Sequence, residues 1–254
     1  MSTAMTTPVG RMTALARAEV TLLGRSRGTL FAALFVPLLL PFSVREAAKG
    51  MDLAEAGLSL GTVVLPASIG FSLLYAVYAT LVSVYTARRE ELVLKRLRTG
   101  ELKDTEILAG AALPAVVTGV AQSLVLAVGC AVLLDVGAPS APHLAVLGLL
   151  LGVVLGAVTA SFTRSVESAQ VTTLPVVFLS MIFSGMFVPL EVLPDRVASV
   201  CEFLPLTPVI TLLRGGWTGD LSVYEAIGPV VTGLAWTVLG VLAVRRWFRW
   251  EPRH

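Results

Sequence analysis

Apolar positions run through this chain in long unbroken stretches. Six stretches hold no Asp, Glu, Lys or Arg: residues 28–44, 57–87, 107–134, 143–163, 168–189 and 226–244. A helix needs about 20 apolar residues to cross a bilayer, so the pattern predicts an all-α, polytopic membrane protein with six transmembrane helices. The first span is short and carries Pro37 and Pro41, whereas the second and third have residues to spare. Pro66, Pro114 and Pro175 fall inside spans, which a membrane helix tolerates because its neighbours satisfy the freed carbonyls.

Two mixed segments flank these stretches. Residues 11–27 interleave Met12, Leu15, Leu22 and Leu23 with Arg11, Arg17 and Arg25, the pattern of an interfacial elbow helix leading into the first span. Residues 189–225 are too long and too apolar for a plain loop. Val197, Val200, Cys201 and Leu204 recur there at helical spacing, with Arg196, Ser199 and Glu202 on other faces. That predicts an amphipathic piece lying in, or dipping into, the outer leaflet.

Charge sets the expected orientation. With these spans, Arg45, Lys49, Arg196 and Arg214 fall on one side, and the other fifteen of the 19 basic residues fall on the opposite side. Cytoplasmic loops hold the Lys and Arg excess, so both termini are expected in the cytoplasm of a bacterial inner membrane. Trp217 on the outer side, with Trp247 and Trp250 just inside, fits aromatic interface anchors. Residues 1–10 have no cleavable-signal layout and read as a flexible cytoplasmic tail, leaving residues 11–250 as a single membrane domain.

Composition agrees: 56% hydrophobic and 14% charged residues, against about 25% charged in a soluble domain. A net charge of +2 argues against a nucleic-acid partner. Two cysteines and two histidines are too few for a disulfide framework or a metal cluster, and a Cys130–Cys201 bridge stays open.

Because no Asp, Glu, Lys or Arg falls inside the spans, a proton- or sodium-driven transporter is disfavoured, since it usually keeps such a group at membrane depth. Ser72, Tyr75, Gln122 and Gln170 are among the few polar residues there. Each fits interhelical hydrogen bonding or, alternatively, the path of an amphiphile. No phosphate-cradling G-x-x-x-x-G-K-[ST] loop is present, and neither Ser184 nor His143 has the neighbours of an intramembrane catalyst. Any energy must therefore come from a partner. A passive channel, a secondary transporter and a sensor or immunity protein remain as alternatives. Gly148, Gly152 and Gly156, one every fourth residue, let another helix approach closely, within the chain or across a dimer.

The most charged segment, residues 88–106, reads RREELVLKRLRTGELKDTE. Leucines set among arginines suit a short amphipathic helix docking into a partner's groove. The stretch resembles the signature of ABC type 2 permeases, R-E-x-G-T-L-x-R-L-R-x-T-P-L, through Glu90, Leu94, Arg96, Leu97, Arg98 and Leu102; it departs at Leu92-Val93 and Gly100-Glu101. A second similarity, to S-G-x-x-x-P-L-x-x-L-P followed by L-P-L-T and an arginine, rests on Ser184, Gly185, Pro189, Leu190, Leu193, Pro194, Pro205 and Arg214.

The resemblance implies a non-catalytic permease subunit of an ABC exporter of the daunorubicin-resistance kind. Residues Glu90, Glu91, Lys95 and their neighbours would form its ATPase-coupling helix, and small re-entrant helices near Pro189–Pro205 an outer gate. It also implies two ATPase subunits carrying the ATP and magnesium, no cofactor on this chain, and a second permease copy in a homodimer or related heterodimer. The substrate expected is an amphiphilic drug, antibiotic, lipid or peptide. The Ala-, Val-, Gly- and Arg-rich composition points to an actinobacterial source.

Overall fold

The computed structural model describes residues 59–99, 103–133, 137–161 and 166–247, with isolated positions before residue 47. The expected elbow and first span lie almost wholly outside the described residues. Among the described residues four helices are long and apolar enough to cross a membrane, Leu60–Glu90 (α1), Asp104–Val132 within α3, Pro142–Ala160 (α4) and Val223–Arg246 within α8. Between them run α2 (Val93–Arg98), α5 (Val166–Phe183), α6 (Asp195–Cys201) and α7 (Thr207–Thr218); α3 is Asp104–Leu133 and α8 is Val223–Trp247. The described residues form helices and no strands.

α1 is the central helix. Ser59 opens it with a reciprocal cap, accepting from the Thr62 N–H at 3.2 Å while its own N–H donates to Thr62 Oγ1 at 2.9 Å. Over its most apolar stretch 83% of residues are buried, against 6% in α8. α8 therefore stands at the periphery, with its leucines and valines outward. The middle of α1, Leu73–Ala79, winds as a π-helix. Its widened turn places Thr80 Oγ1 on the carbonyl of Tyr75, five residues back, at 3.1 Å. Val77 from this segment is fully buried between two glycines: a Cβ at Gly119 would lie 2.5 Å from its Cγ2, and one at Gly156 3.2 Å from its Cγ1.

Three boundaries differ from the apolar pattern. The charged stretch 88–106 is largely helical, because α1 runs on to Glu90 and α3 begins at Asp104. Arg88 and Arg89 lie in the last turn of α1, and Asp104 and Glu106 in the first turn of α3, each sign opposing the local helix dipole. The Lys103 N–H also donates to Glu106 Oε2 at 3.0 Å. α5 stops at Phe183 rather than near Pro189, because the chain turns at Gly185 with φ of 74°, a left-handed conformation that suits glycine. Finally, α8 gains a turn at its start, where Glu225 accepts from the N–H and hydroxyl of Ser222 at 2.9 and 2.7 Å.

The segment between α5 and α8 enters the bundle. α7 packs into α4 and α1: a Cβ at Gly148 would meet Leu213 N at 3.1 Å, one at Gly152 Val209 Cγ1 at 3.0 Å, and one at Gly70 Ile210 Cδ1 at 2.5 Å. Gly70 and Gly152 each lie ten residues into their helices, about 15 Å along the axis. At its other end α7 is tied to the start of α4, where Ala141 N–H donates to Gly216 O at 2.8 Å. The start of α7 is thus deep and its end is at the bundle's edge, so α6 and α7 form a re-entrant hairpin.

Candidate functional site

Two places gather the candidate residues. At the end of the bundle carrying Arg88 and Arg89, α2 sits between the last turn of α1 and the first turn of α3. It begins abruptly: Leu92 is the one described non-glycine residue with positive φ, at 59°, a conformation that costs a leucine about 1–2 kcal/mol. That kink lets α2 turn back under the bundle. Leu94 is fully buried, Val93 and Leu97 are half-buried, and Glu90, Glu91, Leu92, Lys95 and Arg96 are exposed. Arg96 donates from NH2 to the Glu91 carbonyl at 3.3 Å, and Thr99 Oγ1 closes the helix on the Arg96 carbonyl at 2.7 Å. Leu94 thus anchors the helix and presents nothing outward. The exposed face is Glu91, Leu92, Lys95 and Arg96. The Arg98 side chain and Leu102 lie outside the described residues. Directly above, Arg89 and Glu106 are both buried, two charges that a loop reading of 88–106 misses.

At the opposite end, the chain leaving α5 folds over the hairpin. Ser184 is buried with its hydroxyl on the Ser180 carbonyl, and Pro189 is buried while Leu190 packs beside Gly185. Arg214 of α7 is buried and donates from NH2 to the Gly185 carbonyl at 2.9 Å, which joins the two halves of the motif across 29 residues of chain. Pro194 is exposed and precedes α6. Pro205 is half-buried at the hairpin's tip, where Thr207 Oγ1 donates to the Cys201 carbonyl at 2.6 Å.

The family model for ABC-2 type transporters matches residues 11–217, a span holding α1 to α6, all but the last residue of α7, and both motifs. The chain belongs to the ABC-2 type transporter family. Comparison with curated proteins finds no match.

Within this ABC-2 chain the remaining candidates fall to packing positions. Ser72 Oγ donates to Gln122 Oε1 at 3.0 Å, both side chains being buried, so these two groups link α1 to α3. Tyr75 is half-buried, with its ring stacked on Phe71 at 4.4 Å between centroids. The Gln170 side chain lies outside the described residues. Gly148, Gly152 and Gly156 face α7 and the π-segment of α1, within the chain. Trp217 is buried and donates to the Gly137 carbonyl at 3.3 Å, which clasps the end of α7 to the segment leading into α4. Cys130 and Cys201 are buried free thiols. Among the described residues no three His, Cys, Asp or Glu gather to hold a metal ion.

Two structural features have no counterpart in the candidate set. Trp236, midway along α8, donates from Nε1 to the Phe203 carbonyl at 2.8 Å. Beside it, Glu202 lines a cavity between the hairpin and α8. The available signal was Trp236 itself, a polar-tipped aromatic in mid-span, well away from the interface where such residues concentrate.

Proposed function

We propose that this ABC-2 membrane subunit is half of an ATP-driven exporter in a bacterial cytoplasmic membrane, with α2 as the contact for its ATPase. The supporting observation is the division of labour in α2: Leu94 is buried beneath it while Lys95 and Arg96 are exposed. A topology-setting loop needs the positive charges but not the buried leucine. A helix that transmits force needs both, one side to be held and one to be pushed. The excess of Lys and Arg at this end favours a cytoplasmic location for it, and hence for both termini.

Two such subunits, identical or related, would pair above two ATPases that carry ATP and magnesium. A push on α2 would pass through Leu94 to α1 and α3. α1 touches the hairpin through Gly70 and Ile210, so its tilt would move α7 and open a way out for an amphiphile between subunits. The chain itself supplies the path and no hydrolytic chemistry.

The test is mild purification of the tagged chain from its host, followed by mass spectrometry of what accompanies it. The expected result is a stoichiometric P-loop ATPase that is lost on Lys95→Glu with Arg96→Glu. If the purified chain repeatedly comes without an ATPase, including from nanodiscs, the exporter reading fails.

A further inference from the structure

A cavity of about 640 Å³ opens between the α6–α7 hairpin and α8, a size within the roughly 300–1,000 Å³ usual for small-molecule sites. Among the described residues its wall carries three carboxylates, Asp195, Glu202 and Glu225, and no basic side chain. Phe203, Pro208 and Pro229 contribute apolar surface.

The carboxylates differ in depth. Glu225 lies in the first turn of α8, while Glu202 adjoins Phe203, whose carbonyl meets Trp236. Trp236 is 13 residues beyond Val223, about 20 Å along the helix. The hairpin therefore sets Glu202 farther along α8 than Glu225, with its side chain exposed to the cavity. An acid beside a membrane-crossing helix is costly unless it faces water or a positive charge, and it marks a functional site by default. The neighbouring cations are otherwise placed: Arg214 donates to the Gly185 carbonyl, and Arg196 is exposed outside the lining set. The acids do not converge closely enough for a metal ion, so a small inorganic cation does not fit the arrangement. A bulky organic cation does, because its diffuse charge needs no close coordination and the prolines and the Phe203 ring offer apolar surface for its hydrocarbon.

We propose that this cavity is a binding site for cationic amphiphiles, with Glu202 holding the positive centre, Asp195 and Glu225 drawing it in at the mouth, and Phe203, Pro208 and Pro229 receiving its apolar part. The proposal rests on the reading of this chain as a path for amphiphiles and names the charge class of the substrate.

The probe is radiolabelled tetraphenylphosphonium, titrated against the full chain alone in phosphatidylcholine nanodiscs. Tetraphenylborate, of similar shape and opposite charge, is the control. Expected is saturable binding of the cation, displaced by dodecyltrimethylammonium but not by tetraphenylborate. Glu202→Gln should weaken it about tenfold, since the amide keeps the shape of the side chain and loses its charge. Gly228→Leu provides a second variant: Gly228 lines the cavity and a Cβ there meets no described residue within 4 Å, so the leucine fills cavity space. It should abolish saturable binding while the protein stays folded and monodisperse. Equal binding of the borate, or wild-type affinity in both variants, overturns the proposal. An ATPase that accompanies a chain unable to bind the cation removes this inference and leaves the exporter reading standing. Saturable, Glu202-dependent binding by a chain that captures no ATPase does the reverse.

Discussion

The indole of Trp236 reaches from α8 to the backbone carbonyl of Phe203, 33 residues earlier, with Nε1 to O at 2.8 Å. It satisfies a carbonyl at the non-helical tip of a re-entrant hairpin, where bulk water is scarce. Exposed backbone is tolerated at membrane depth only when protein or a hydrated cavity receives it. Trp236→Phe keeps most of the apolar ring and removes the donor. It should cost about 1–2 kcal/mol, the price of leaving one such acceptor unmet. Thermal unfolding in nanodiscs reads the loss; an unchanged midpoint would mean that another donor serves Phe203.

The glycines of the bundle separate into two kinds, and alanine substitution distinguishes them. At Gly216 a Cβ would lie 2.5 Å from the Ala145 backbone nitrogen, which cannot yield as a side-chain tip can. Gly216→Ala should destabilise by about 1–3 kcal/mol through overpacking. At Gly129 no described residue lies within 4 Å of an added Cβ, and Gly129→Ala should be neutral or stabilise by up to about 1 kcal/mol from helix propensity. Parallel unfolding curves of the two variants make the comparison, and equal behaviour would contradict the packing described.

Leu94→Ala changes no charge on the exposed face of α2 but removes its anchor. Burial of this order is worth about 2–5 kcal/mol on truncation, enough to unseat a six-residue helix while the transmembrane helices stay folded. Capture of the ATPase should fall nearly as far as with Lys95→Glu and Arg96→Glu together. Full capture would show that α2 docks without being held.

Leu92→Gly should act in the opposite direction. The position has φ of 59° and is partly exposed, so glycine relieves about 1 kcal/mol of backbone strain for little lost burial. Slower proteolysis within residues 88–99 is the expected readout; faster cleavage would show that the kink is maintained by Leu92's own contacts.

Much of the architecture was legible because the bilayer imposes a length on every apolar stretch. α3 and α4 begin within three residues and one residue of the apolar pattern's limits. The charged ends were less legible: Arg88, Arg89 and Asp104 look like loop residues by hydropathy, yet the helix dipole makes them good terminal residues. The spacing around Val197 and Cys201 announced an amphipathic segment, but not its depth. That depth depends on Gly70, Gly148 and Gly152, which hold space open on other helices, and no local period records that relation. Glu202 shows the same limit. Along the chain it is the polar face of a short helix; in space it is a carboxylate beside the middle of α8. The π-turns of α1 likewise have no local signal, since LLYAVYA would serve as ordinary α-helix.

Val77, gripped between Gly119 and Gly156, gives α1 the geometry of a lever. Its fulcrum lies 13 residues from Glu90 and 17 from Leu60, arms of about 20 and 25 Å at 1.5 Å per residue. A rigid rotation of α1 about this contact would carry its two ends in opposite directions, the Leu60 end about three-tenths farther. The grip being made of one valine and two glycines, a side chain added at Gly119 or Gly156 would press on Val77 and move that contact.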